Sequence, residues 1–118
     1  MARIVNRIST HILDTSRGKP AANVTVRLQR KESSGDWRDL GSSTTDADGR
    51  CGQLLPENAT FGEGHYRLLF DTASYFAQQQ TKGLYPVVEI TFQARSDDTH
   101  FHIPLLLSPN GYTTYRGS

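Results

Sequence analysis

The sequence predicts an all-β protein, a two-sheet β-sandwich carrying one short α-helix near residues 72–82. Two observations predict it. Short segments alternate strictly between apolar and polar residues, and turn residues separate them, as expected of sheets with one buried and one wet face. A single segment breaks that alternation with helix formers.

The first such segment runs from Ile4 to Asp14, where Ile4, Ile8 and Ile12 share the face assigned to the core. Arg7, Ser9 and His11 share the other face with Val5 and Leu13. Val24 to Gln29 alternates in the same way. Tyr66, Leu68 and Phe70 lie on one face of their segment, opposite His65 and Arg67, and Val88 to Gln93 repeats the pattern. Turns fall at Ser16 to Pro20, Ser33 to Asp36, Asp48-Gly49, Phe61 to Gly64 and Pro109 to Gly111. Between two strands, Thr72 to Lys82 holds Ala73, Ala77, Gln78, Gln79 and Gln80, with Asp71 or Thr72 to cap the start and Gly83 to cap the end. The late run His100 to Leu107 is strand-like and puts His100 and His102 on one face, opposite Phe101 and Ile103.

Composition narrows the function classes. Residues 1–118 fit a single domain, long enough to bury about two thirds of its unfolded surface. Thirteen Lys+Arg against twelve Asp+Glu leave a net charge of +1, so neither nucleic acid nor an anionic membrane is an expected partner. No apolar stretch approaches the roughly 20 residues of a membrane span. The opening Met1-Ala2-Arg3-Ile4-Val5-Asn6 lacks the apolar core of a secretory signal, and Cys51 is the sole cysteine, so a reducing cytoplasmic location is expected. Cys51 itself reads as a small half-buried hydrophobe.

The candidate chemistry lies on outward faces. His11 points away from the core, His100 and His102 share a face, and Arg50 follows the Asp48-Gly49 turn at the mouth of the next strand. Tyr115-Arg116-Gly117-Ser118 places an aromatic ring, a guanidinium, a glycine and a hydroxyl at the end of the sequence, where composition usually drifts. Taken singly, each is an ordinary solvated residue; together they suggest a tail tied into a site. His100-x-His102 with a distant His11 is poor spacing for zinc, and no Cys or carboxylate completes a set, so no metal or other cofactor is expected. Asp46-Ala47-Asp48-Gly49 opens like a calcium loop but lacks its later acidic positions and reads as a hairpin turn. No Gly-x-Ser-x-Gly elbow supports a serine hydrolase.

Ser9 to Asp14, Thr45 to Arg50, Tyr85-Pro86, His100 to Pro109 and Tyr115 to Ser118 together resemble the transthyretin-related 5-hydroxyisourate hydrolases, in order and over nearly the whole chain. The resemblance implies a transthyretin-like sandwich of about eight strands and a homotetramer with active sites at the dimer–dimer interface. It implies His11, Arg50, His102 and Ser118 as catalytic residues, with Arg50, Tyr115, Arg116 and Gly117 binding substrate. The substrate implied is 5-hydroxyisourate, a small molecule whose cyclic amide is opened to 2-oxo-4-hydroxy-4-carboxy-5-ureidoimidazoline in urate degradation. Those residue types suit the reaction. A base with a pKa near 6.5, His102 or His11, can take a proton from water while the other holds the water or protonates the departing ring nitrogen. Arg50 offers a fork of donors to the ring carbonyls and to the growing negative charge.

A transthyretin-like small-molecule carrier without catalysis is the rival reading. A channel lined by His11, Arg50 and His102 disfavours an apolar ligand, because burying those groups unpaired is costly.

Overall fold

A computed structural model describes residues 4–57 and 60–118, so the Met1–Arg3 part of the opening segment lies outside the described residues. Two sheets face each other across one core. The first contains β1 (Arg7–Asp14), β2 (Lys19–Pro20), β5 (Arg50–Cys51), β8 (His100–Ser108) and β9 (Gly111–Thr114). Its order is β2-β1-β8-β9, and β5 adds to the same side of β1 as β2. The second contains β3 (Thr25–Lys31), β4 (Trp37–Thr44), β6 (Gly64–Phe70) and β7 (Val88–Ala94), in the order β4-β3-β6-β7. The helix α1 (Thr72–Gln78) connects β6 to β7.

The alternation read from the sequence is the alternation of burial. Val24, Val26, Leu28, Tyr66, Leu68, Phe70 and Val88 are fully buried or nearly so, and they meet Ile8, Ile12, Leu105 and Leu107 of the other sheet. At about 1.5–3 kcal/mol for each large apolar side chain removed from water, these contacts dominate the stability. Two details differ from expectation. Ile4 is exposed and its neighbour Val5 is buried, because β1 begins at Arg7 and the residues before it follow a separate path, with Val5 bridging to Phe61. The β4 strand carries mostly polar residues on both faces, so period two does not reveal it; it is an edge strand paired only to β3.

The helix is also shorter than residues 72–82. Asp71 caps its start, accepting from the Ser74 backbone N–H at 3.2 Å and from the Ser74 hydroxyl at 2.7 Å. It ends at Gln78, and Gln80 rather than Gly83 takes the left-handed conformation, with φ of 56°. Gly83 serves packing instead: a Cβ there would come within 2.8 Å of the Phe76 ring. The buried Tyr75 hydroxyl donates to Asp14 at 2.7 Å, which ties the helix to the far end of β1.

The pairing that organises the site is the parallel one between β1 and β8. It sets Arg7 opposite His100, Ser9 opposite His102 and His11 opposite Pro104. On the other side of β1, the antiparallel β5 sets Arg50 opposite His11.

Candidate active site

Arg50 is delivered by the turn before it. The Asp46 carboxylate accepts from the backbone N–H groups of Asp48 at 2.9 Å and Arg50 at 3.0 Å, which occupies it as a turn-former. Gly49 closes the turn with φ of 76°, and a Cβ there would lie 2.5 Å from the Ile12 carbonyl oxygen. Only glycine meets both demands. The chain can then lie against β1, and the Arg50 guanidinium has no hydrogen-bond partner among the described residues.

His102 is delivered by β8. One ring edge meets Ser9, whose Oγ lies 2.8 Å from Nδ1. The opposite edge lies against the backbone of Gly117, where a Cβ would come within 2.5 Å of His102 Cδ2 and 3.0 Å of Pro104 Cγ. The Gly117 N–H donates to the His102 carbonyl at 2.9 Å. With both of those edges engaged, Nε2 is the ring nitrogen left without a partner among the described residues. Burial lowers the pKa of His102, and the positive charges of His100, His11, Arg50 and Arg7 lower it further. The ring is therefore neutral at pH 7 and able to accept a proton.

Arg50, His102 and Ser118 line one cavity of about 170 Å³, together with Arg7, Ser9, Thr10, Cys51, Gly52 and His100. Several of these were not singled out in the sequence. Ser9 is joined by hydrogen bonds to both His100 and His102, and Arg7 donates from Nε to the Gly52 carbonyl at 2.7 Å, bracing the chain just after Arg50. The parity of His100 and His102 was a usable signal for His100. Ser9 and Arg7 gave no comparable signal, since their roles come from strand pairing. Cys51 is buried, and burial pushes its thiol pKa up, so it is a protonated wall residue.

The other predicted residues are distributed around this cavity. His11 is half-buried and paired with Arg50 across β1 and β5, beside the cavity lining. Tyr115 and Arg116 line a separate groove of about 290 Å³ with Ile90, Phe92, Phe101 and Ile103. There the Arg116 guanidinium pairs with Asp98, donates to the His100 carbonyl at 3.3 Å and stacks 4.8 Å from the centre of the Phe101 ring. The backbone N–H groups of Thr99 and His100, with Arg116, hold the Asp98 carboxyl below the usual carboxylate range. Arg116 therefore fastens the segment that carries Gly117 and Ser118. Among the described residues no group of three His, Cys, Asp or Glu side chains is disposed to hold a metal ion.

Residues 8–117 match the profile of the HIUase/Transthyretin family. The chain belongs to that family. Within the HIUase/Transthyretin family it is 43% identical to the 5-hydroxyisourate hydrolase of Mus musculus, over the full length of both chains. Among solved structures it resembles the 5-hydroxyisourate hydrolase of Klebsiella pneumoniae, with a TM-score of 0.82 and 37% identity over 96% of this chain and all of that one. It equally resembles sea bream transthyretin in complex with thyroxine, with a TM-score of 0.87 and 34% identity over 95% of each chain. One HIUase/Transthyretin fold thus serves both hydrolases and a hormone-binding protein, and the site must decide between them. Among the described residues, no helix is long and apolar enough to cross a membrane.

Proposed function

We propose that this chain is an enzyme that hydrolyses 5-hydroxyisourate, opening its cyclic amide to 2-oxo-4-hydroxy-4-carboxy-5-ureidoimidazoline in urate degradation. The observation that carries the reading is the meeting of Arg50, His102 and Ser118 on one polar cavity, in a chain 43% identical to a hydrolase of that name. The complex of a related fold with thyroxine would favour a carrier, but four cationic or imidazole groups (Arg7, Arg50, His100 and His102) in one small cavity suit a polar, hydrogen-bonding ring.

In the reaction, His102 Nε2 takes a proton from water as the oxygen adds to the ring carbonyl carbon. Arg50 donates to the carbonyl oxygen as it gains negative charge. The ring C–N bond then breaks, and the departing nitrogen takes a proton from the imidazolium or from His11. The Ser118 hydroxyl orients the substrate. Gly117 seats His102, and Tyr115 and Arg116 contribute by holding that segment in place. Base catalysis supplies about 10²–10⁴-fold and the Arg50 donors a comparable factor.

A cavity of about 170 Å³ is smaller than the roughly 300–1,000 Å³ of ordinary small-molecule sites. A second copy covering it would supply the missing enclosure, which supports a homotetramer with sites at the dimer–dimer interface. Residues 1–118 would act as one domain, and the lone free Cys51 fits a cytoplasmic setting.

The test generates 5-hydroxyisourate from urate with a urate oxidase and follows its ultraviolet absorbance after this protein is added. Decay faster than the spontaneous rate, lost in a folded His102→Asn variant, is expected. Decay at the spontaneous rate with a folded wild-type protein would overturn the reading in favour of the carrier.

A further inference from the structure

His102 does not stand alone on β8. Ser9 Oγ lies 2.8 Å from His102 Nδ1 and 3.1 Å from His100 Nε2, and Ser9 is only 4% exposed. The geometry follows from strand parity. His100 and His102 project from one face of β8, and the parallel register puts Ser9 of β1 beside His102.

A hydroxyl owns one proton. When Ser9 donates to one imidazole nitrogen it must accept from the other, so the two rings present opposite characters to it. If His102 is to receive a proton at Nε2, its hydrogen in the neutral ring must be on Nδ1. Ser9 then accepts from Nδ1–H, and its own proton goes to His100 when that ring presents Nε2 as a lone pair. Reversing the line would put the His102 hydrogen on Nε2 and remove the base.

We propose that Ser9 is a positioning residue for the hydrolysis, its hydroxyl aimed by His100 so that His102 carries its hydrogen on Nδ1 and keeps the Nε2 lone pair for water. The assignment rests on the hydrolase reading above. Gly117 reinforces it, because flipping the ring would exchange Nδ1 for Cδ2 and leave Ser9 facing a carbon. The arrangement also needs no rearrangement on protonation. When Nε2 gains a proton, the Nδ1–H···Oγ and Oγ–H···Nε2 bonds stay as they were.

The experiment compares wild type, Ser9→Ala and Ser9→Thr by steady-state kinetics and by ¹⁵N NMR of the imidazoles near neutral pH. Wild-type His102 should show hydrogen on Nδ1. Ser9→Ala should lose that signature and about 10²-fold in kcat, with KM nearly unchanged, as expected for a mis-set catalytic group. Ser9→Thr keeps the hydroxyl and should restore both. A wild-type His102 with its hydrogen on Nε2 would overturn the proposal, as would a Ser9→Ala variant that keeps both the signature and kcat. A wild-type protein inert toward 5-hydroxyisourate would instead sink the hydrolase reading, and the NMR result would still report the tautomer.

Discussion

Replacing Gly117 with alanine tests how tightly the active imidazole is seated. The new Cβ would fall 2.5 Å from His102 Cδ2 and 3.0 Å from Pro104 Cγ. Carbon atoms rest about 3.5–4.0 Å apart, so one partner must retreat by about 1 Å. The Gly117 backbone is not in the left-handed region, so the methyl contact is the perturbation and backbone strain is not. If the ring gives way, its Nδ1 bond to Ser9 is lost and Nε2 is displaced by about 1 Å, an error that costs about 10²-fold in rate. If the segment gives way instead, the Gly117 N–H to His102 carbonyl bond breaks and Ser118 leaves the cavity, so KM rises as well. Stability should fall little, by about 0.5–1.5 kcal/mol for the one hydrogen bond lost in either case. Kinetics of 5-hydroxyisourate decay with a parallel thermal melt separate these outcomes. A folded Gly117→Ala protein with wild-type kcat and KM would refute the account of Gly117 as the seat of His102.

Further outcomes are expected. Arg50→Ala should lower kcat by about 10²–10³-fold with the melting temperature nearly unchanged, and Arg50→Lys should recover little of it, because an ammonium lacks the planar fork. The acid limb of kcat/KM should have its midpoint below the ordinary histidine value of 6.5, since burial and the neighbouring positive charges lower the pKa of His102. His100→Gln removes one of those charges and should move the limb upward. The same shift makes the unfolded chain bind a proton before the folded one as pH falls through 6.5. His102 therefore detracts from stability only below that pH, and a His102→Asn variant should show a flatter acid limb in its thermal melts. At the opposite end of β1, Tyr75→Phe deletes a buried hydrogen bond to Asp14 and should cost about 1–3 kcal/mol by chemical denaturation while leaving kcat alone.

The local features of this protein were legible because they depend on neighbours in the chain. Alternation from Val24 to Leu28 and from Tyr66 to Phe70 told which side chains would be buried, as the burial pattern bears out. The Asp48-Gly49 turn and the Asp71 cap were readable for the same reason: a left-handed glycine and a carboxylate near free N–H groups act within three or four residues. Where local signals competed, the reading went astray. Gly83 looked like a helix cap, yet its lack of a side chain answers to Phe76, and Gln80 makes the turn.

The sequence alone therefore determined the sandwich, its faces and the shared orientation of His100 and His102, and its motifs brought Arg50 and the Tyr115–Ser118 segment into view. Only the tertiary structure decided which of them meet. Pairing of β1 with β8 brings together residues more than 90 positions apart, and no periodicity within either strand encodes that register. It makes Ser9 the partner of His102; the pairing of β1 with β5 puts His11 beside Arg50, and the bridge from Gly117 to His102 brings Ser118 to the cavity while Tyr115 and Arg116 turn to another groove. Register is set by how whole faces pack, since a slip of one residue would turn every buried side chain outward. The site is a consequence of that packing, acting on residues whose chemistry was already written in the chain.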